Sequence, residues 1–302
     1  MPVLPAKMLT ESMVAGIAWT LGLGVIGVMA LLTRRRYLRD TTLSAPWIWS
    51  LGSLLLLAVV EVLLAYRAAG SPPSGASHLR YMAAATTFCP MVALLGAKRP
   101  QNRGWQFVVA SLPVVLLLPA LQAFLYHPEA HLELHAAWSW FLLSLVVIGL
   151  LNTLPTRYWL LSLLFAGGQC ALLADHLPMF ASLTTAAYPR TGLALIVAAA
   201  VGWSATFPPQ CRVRPSVDRV WLDFRDFYGA FWAVQLLERF NTSAGALDWE
   251  ARLNWHGLEM NDPAVSPESL SPEVRAAMHK SLAALLRRFV SPEWLAVRLE
   301  GD

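Results

Sequence analysis

A chain of 302 residues has room for one or two soluble domains, but 56% hydrophobic residues, 14% charged residues and a mean hydropathy of +0.49 make this one too apolar for that class. The net charge of +4 is no nucleic-acid signature: residues 1–207 carry 12 bases against six acids, residues 208–302 carry 11 against 13, and the excess lies at the ends of apolar stretches, as membrane topology requires. Cys89, Cys170 and Cys211 are widely separated and form no CxxC, which excludes a disulfide framework and a Cys-rich metal site.

A hydrocarbon core of roughly 30 Å needs about 20 apolar residues in a helix, which alone satisfies its own backbone there. Seven stretches qualify in chain order: Met13–Thr33, Trp47–Tyr66, Tyr81–Ala97, Trp105–Tyr126, Ala136–Leu154, Tyr158–Ala174 and Thr191–Phe207. The last two are short, and Leu177–Tyr188 between them suits the interface. Positive charge follows rather than precedes the first stretch, and no A-x-A-like site comes after it, so it reads as a span and not a cleaved signal.

Orientation follows from Lys and Arg. Arg34-Arg35-Arg36 with Arg39, then Lys98, Arg99 and Arg103, then Arg157, then Arg212, Arg214, Arg219 and Arg225 fall on one side; the other side has Lys7, Arg67, Arg80 and Arg190. The expectation is an N-terminus outside, a C-terminus inside and residence in the cytoplasmic (inner) membrane of a bacterium. Trp47, Trp49, Trp105, Trp138, Trp140, Trp159 and Trp203 lie in or near spans, where those at the ends can anchor the interface.

Proline punctuates two spans, Pro90 in the third and Pro113 and Pro119 in the fourth; each removes a donor and crowds the preceding turn. Such breaks either shape the bundle or mark a broken-helix binding site, and no internal repeat of the inverted-transporter kind accompanies them. Gly167-Gly168 beside Gln169 permits close packing or a local break. Gly22, Gly24 and Gly27 spell GxGxxG, but inside the first span, where helix packing explains them and phosphate binding does not.

After Pro208-Pro209 the character changes. Val220, Phe224, Phe227, Phe231, Val234 and Leu237 recur at helical spacing, widened by Trp221, Tyr228 and Trp232. Leu247 to His256 alternates apolar and polar, a strand pattern. Ser271-Pro272-Glu273 is a helix start with Ser as N-cap; the helix carries Val274, Met278, Leu282, Leu285 and Phe289 on one face, and Arg287-Arg288 at its end suit its dipole. A short apolar segment, Trp294–Leu299, follows. This tail sums to −2 and has no polybasic run, so electrostatic anchoring to anionic lipid is not expected of it. Its aromatic stripes serve either a core of its own or a docking surface, for a partner or for the bundle's inner rim.

The fold expectation is therefore an all-α polytopic membrane bundle of about seven transmembrane helices (residues 1–207), N-out and C-in, with a small cytoplasmic α+β tail domain (residues 208–302).

Chemistry-bearing residues gather on the expected outer side. His78, His127, His131, His135 and His176 all map there, against His256 and His279 inside. His127-Pro-Glu-Ala-His131-Leu-Glu-Leu-His135 repeats every four residues, and imidazoles at i and i+4 can chelate Zn or Cu, with Glu129 and Glu133 as oxygen ligands or supports. His131 and His135 are the expected metal pair, since no proline separates them. Haem could be held between helices by His78 and His135 or by His127 and His176. Plain interfacial histidines are the competing explanation. Glu61 is the one acid well inside a span, placed to meet Arg67 or Arg80 or to handle a proton, ion or ligand. Gln122, Asn152 and Gln169 suit interhelical hydrogen bonds.

HExxH, Walker A, G-x-S-x-G and EF-hand patterns are lacking, which disfavours an ATP-driven pump or a receptor enzyme. The expected function is a non-catalytic membrane component, an accessory subunit or assembly factor in the lipid bilayer whose tail engages a protein partner. The alternatives are a metal- or haem-binding redox or cofactor-handling protein, and small-solute or ion permeation.

Overall fold

The structure is a computed structural model that describes residues 6–67, 75–100, 102–127, 131–179, 188–206, 217–262 and 270–299, with side chains from residue 13 in the first helix and from residue 104 in the fifth. Glu129, Cys211, Arg212, Arg214 and Pro208-Pro209 lie outside the described residues, as does most of 177–188.

Helices α1 (Ala6–Thr33) and α2 (Ser44–Arg67) are joined by a 3-10 turn, Arg35–Leu38. Then come α3 (Ala76–Ala85), a 3-10 turn (Thr86–Phe88), α4 (Cys89–Leu95), α5 (Asn102–Tyr126), α6 (Ala136–Thr153), α7 (Trp159–Leu172), a further 3-10 turn (Ala174–His176) and α8 (Tyr188–Thr206). Among the described residues four helices are long and apolar enough to cross a membrane: Met13–Thr33 within α1, α2, Gly104–Tyr126 within α5, and α6. They leave large apolar side chains such as Trp19, Ile48, Phe107 and Leu151 exposed, a surface suited to lipid. The remaining apolar helices fall short in length, as α7 does, or open on polar groups, as α8 does at Tyr188-Pro189-Arg190.

The expected third span is not one helix. Pro90 lacks an N–H and its ring crowds the carbonyl four residues back, so the helix stops at Ala85 and restarts at Cys89. The Thr86 carbonyl that residue 90 cannot serve accepts from the Cys89 N–H in a 3-10 bond and from Ser53 Oγ of α2 (2.7 Å). One residue on, the Thr87 carbonyl and hydroxyl both lie within reach of Gln169 Nε2 of α7 (3.3 and 3.1 Å). Side chains of two neighbouring helices thus satisfy the backbone that proline frees. Through Pro113 and Pro119, by contrast, α5 continues.

Close approach rather than charge holds several pairs. A Cβ on Gly168 of α7 would stand 3.0 Å from the Gly192 carbonyl of α8, and one on Gly192 only 2.9 Å from the Gly168 carbonyl. Gly24 and Gly27 of α1 similarly meet Ala58 and Leu54 of α2, while Gly22 faces open space, so two of the three glycines in the first span do the packing expected of them.

The C-terminal part begins with α9 (Val217–Ala246), two helical arms that meet at Gly229, whose φ of 75° and ψ of −179° break the helix. The sequence pattern ran over this break, because it left the apolar spacing intact. Strands β1 (Ala251–Asn254) and β2 (Gly257–Met260) form an antiparallel hairpin pairing Ala251 with Met260 and Asn254 with Gly257. The expected strand is shortened at both ends. Asp248 takes a left-handed φ of 51°, and Asn254 Oδ1 accepts from the N–H groups of His256 and Gly257, which folds the chain back. Helices α10 (Pro272–Leu286) and α11 (Pro292–Leu299) complete the chain. As the sequence indicates, Ser271 caps α10 by accepting from Val274 N (3.3 Å), with Pro272 in the first turn.

One apolar core joins this part to one end of the bundle: Trp221, Phe224, Tyr228, Phe240, Leu282 and Phe289 pack in a cluster that includes Leu38, Leu43, Leu94, Ala97 and Tyr158. Backbone bonds stitch the same boundary. Thr42 N donates to the Phe289 carbonyl (2.9 Å), Arg99 N to Arg288 (2.8 Å) and Ser291 N to Asp40 (2.7 Å). The Trp232 indole donates to Leu94 (3.1 Å) and the Trp255 indole to Pro155 (2.8 Å).

Candidate functional site

The break between α3 and α4 adjoins a cavity of about 290 Å³, open on one side, between the helices. Leu54 and Leu57 of α2, Pro90 and Met91 of α4, Leu150 of α6, Phe165 and Ala166 of α7, and Ile196 and Ala200 of α8 supply a mainly apolar wall. Ser50, Ser53, Thr87, Thr153, Ser162 and Gln169 interrupt it. Their hydroxyl protons are committed: Ser50 to Pro46 O (2.9 Å), Thr87 to Ala84 O (2.6 Å), Thr153 to Gly149 O (3.2 Å), Ser162 to Tyr158 O (3.0 Å). What these groups offer the cavity is oxygen lone pairs, so it suits an apolar body carrying a hydrogen-bond donor.

At the end nearest the C-terminal part the cavity is lined by Tyr158, Asp226 and Phe227, the last two from the first arm of α9. The Asp226 carboxylate is buried and held from two sides. Arg225 donates from Nε and Nη2 (3.0 and 2.8 Å), and Arg157 donates its backbone N–H (3.3 Å) with its guanidinium Nε at 3.5 Å. Arg157 also bonds the Tyr158 hydroxyl. Among the described residues the ionisable groups of the cavity lining are Asp226 and Tyr158, and both are engaged by arginine.

At the opposite end lie the expected site residues. His78, in the first turn of α3, is fully buried with no hydrogen-bond partner for either ring nitrogen among the described residues, its ring 6.1 Å from that of Phe124. His176, buried in the 3-10 turn after α7, has an unpartnered Nδ1 and packs edge-on against Tyr81 (5.1 Å). His131, exposed, stands 6.3 Å from the His176 ring, and its charge acts on both other imidazoles. The segment carrying it is tied to α3 by Leu132 N donating to Ser77 Oγ (3.2 Å). Burial pulls the His176 pKa down to about 4, helped by His131 and His78 and opposed by Asp175.

His131 and His135 do not form the expected pair. Residues 131–135 are not helical, so i and i+4 do not share a face; His135 is exposed and caps α6, its Nδ1 accepting from Ala137 N (3.2 Å). His127 is exposed at the end of α5. Among the described residues no three His, Cys, Asp or Glu are grouped closely enough to hold one ion. Glu61 is buried and paired with Arg80 (Nε to Oε1, 2.9 Å), one of the two partners its depth allowed, which fastens α3 to α2. Asn152 bonds the C-terminal part instead of another span, its Oδ1 accepting from Phe231 N (2.9 Å). Gln122 is exposed on α5. The sequence reading passed over the Ser, Thr and Asp226 groups of the cavity; the available signal was hydroxyl residues on spans adjoining one broken by Pro90.

Four apolar helices of membrane length among the described residues, with a cavity beside the break between α3 and α4, mark a helical membrane protein. No family model matches the chain, and no curated protein or solved structure matches it either.

Proposed function

We propose that the chain is a non-catalytic membrane component that holds one small, mainly apolar molecule in the cavity at the broken third span, with its own C-terminal part as the lid. The observation that carries this is the position of the break: irregular backbone at membrane depth is tolerated where it lines a cavity, and Thr87 of the Thr86–Phe88 turn stands in the cavity wall. An engineered cavity of about 150 Å³ binds benzene, so about 290 Å³ suits a molecule of roughly twice that volume. In this reading the chain crosses the bilayer seven times, the third crossing being α3, the turn and α4 together, with the histidine end outside and residues 208–302 as a cytoplasmic domain. The segments rich in arginine and lysine, Arg34–Arg36, Lys98–Arg99 and Arg157, all belong to the end that carries the C-terminal part, which supports that orientation. A protein partner of the C-terminal part stays within this proposal: Trp221, Phe224 and Tyr228 are buried within this chain, while Phe231 and Val234 of the same stripe are exposed.

Native mass spectrometry of the full chain released from mild detergent tests the proposal. Wild type retains a bound small molecule, and the cavity-filling variant Ala166→Phe/Ala200→Phe loses it while keeping a cooperative melt. Equal retention in both proteins, or none in either, overturns it.

A second reading is favoured by the unpartnered nitrogens of His78 and His176, since buried imidazoles are normally hydrogen-bonded. It places a metal or haem at the outer imidazoles. Stoichiometric metal or a Soret band in wild type, lost in His78→Ala/His176→Ala, supports it; neither signal in wild type returns the histidines to a packing role.

A further inference from the structure

Four positive charges where the C-terminal part meets the bundle are spread over the sequence but gathered by the fold. Lys98 follows α4, Arg239 lies on the second arm of α9, and Arg287 and Arg288 follow α10; all four line one open cleft of about 190 Å³, Lys98 half-buried and the three arginines exposed. Trp232 and Phe289 contribute aromatic surface to it, and the Lys98 ammonium lies 5.4 Å from the Trp232 ring centre. The lining contains no carboxylate, and none of the four cations takes part in an ion pair among the described residues. The dipole of α10 explains arginines at its C-terminal end. It does not explain why Lys98 and Arg239, from two other elements, face the same space.

The cost of this arrangement is visible at Lys98. Its ammonium is pushed below the usual lysine range, first by burial and then by the positive charges of Arg239 and Arg288. Like charges gathered around a cavity without a counter-charge repel, and an anion there relieves all of them at once. Three of the four heads are guanidinium groups, whose planar fork matches phosphate oxygens two at a time. The cavity also lies level with the end of a span. Trp232, on its wall, donates its indole N–H to Leu94 near the C-terminus of α4, and Lys98 is only three residues beyond that helix. That is the depth at which a bilayer presents its headgroup phosphates.

We infer that this cavity binds a phosphate ester group, carried either by the headgroup of an anionic phospholipid or by a soluble phosphorylated molecule.

The full chain in nanodiscs tests this, read by thermal melting and by native mass spectrometry after release. Phosphatidylcholine discs are compared with discs containing phosphatidylglycerol, and the phosphatidylcholine discs are titrated with inorganic phosphate and glycerol phosphate. A lipid source gives a higher melting temperature and a retained phosphatidylglycerol only in the anionic discs. A soluble source gives saturable stabilisation by the phosphates in neutral discs. In either case Arg239→Gln/Arg288→Gln weakens the response at least tenfold, and Arg252→Gln, an exposed arginine on β1, leaves it unchanged. No response to either source, or the same response in wild type and the double variant, overturns the inference. The double variant removes repulsion, so its own melting temperature without ligand equals or exceeds that of wild type, which separates lost binding from lost folding.

Discussion

At Pro90 the loss of one N–H is answered from another helix, and Ser53 is the residue that answers. Its hydroxyl reaches the Thr86 carbonyl at 2.7 Å while also lying 2.8 Å from its own Trp49 carbonyl. Ser53→Ala lowers stability by about 1 kcal/mol, the scale of such bonds within membranes. Combining it with Pro90→Ala, which restores the missing donor, costs less than Ser53→Ala alone. Denaturant unfolding of the four proteins in bicelles measures this, and a purely additive cycle shows that the carbonyl does not depend on the hydroxyl. At the other end His176 is held neutral, its pKa about 4 against an ordinary value of 6.5. Between those values the unfolded chain takes up a proton that the folded chain refuses. Stability is therefore level above pH 6.5 and falls on acidification towards pH 4, by up to roughly 3 kcal/mol. His176→Gln flattens that part of the profile, read as melting temperature from pH 7.5 to 4; an unchanged slope removes His176 from the acid response.

Among the elements, α9 couples the two parts of the chain, and Gly229 is where it does so. With the helix broken there, the Phe231 N–H lacks its usual intrahelical partner, and Asn152 Oδ1 of α6 accepts it across the boundary. A Cβ at Gly229 would sit at a positive φ with extended ψ, a region essentially restricted to glycine, and 2.7 Å from the Asn152 backbone carbonyl. Gly229→Ala therefore costs about 1–3 kcal/mol in backbone conformation alone, with the clash added, and it loosens the C-terminal part more than the apolar helices. Limited proteolysis shows this as early cleavage between the bundle and α9 while membrane-embedded fragments persist. Cleavage at the wild-type rate contradicts the coupling. Asn152→Ala gives the same pattern more weakly, because it removes the acceptor without adding strain.

For the whole molecule, the two ends differ in charge and in chemistry. One carries the arginine and lysine segments and the C-terminal part; the other carries His78, His131, His176 and the Glu61–Arg80 pair. If the basic end faces the cytoplasm, a single cysteine at His131 reacts with an impermeant maleimide in intact cells and one at Lys280 does not, in a background with the native cysteines replaced. Both positions are exposed, so accessibility within the protein does not confound the result. Labelling at residue 280 alone reverses the orientation. The same end-to-end division separates the proposals: the cavity with its lid and the phosphate pocket belong to the basic end, the imidazoles to the other, so variants at one leave readouts at the other intact.

The sequence by itself determined that apolar helices of membrane length are present, because burying backbone in lipid demands runs of apolar residues that composition and hydropathy display directly. It also determined local signals that act within a few residues: the Ser271 cap, the alternation around Ala251–Leu253, the depth of Glu61 below a helix end, the disruption at Pro90. Only the tertiary structure decided what met across the chain. The spacing of His131 and His135 puts them on one face only of a helix, which residues 131–135 do not form, and the imidazole that lies beside His131 is His176, 45 residues away. The cavity needed α2, α6, α7 and the Thr86–Phe88 turn to bring their hydroxyls to one space, and the basic pocket needed three segments, each unremarkable alone. Lys98, Arg239 and Arg288 are no polybasic run, and their mutual repulsion exists only once folding brings them together. Hydropathy and capping are properties of neighbours along the chain; a binding site is a property of neighbours in space, set by the helix packing that Gly168, Gly192 and Gly229 permit.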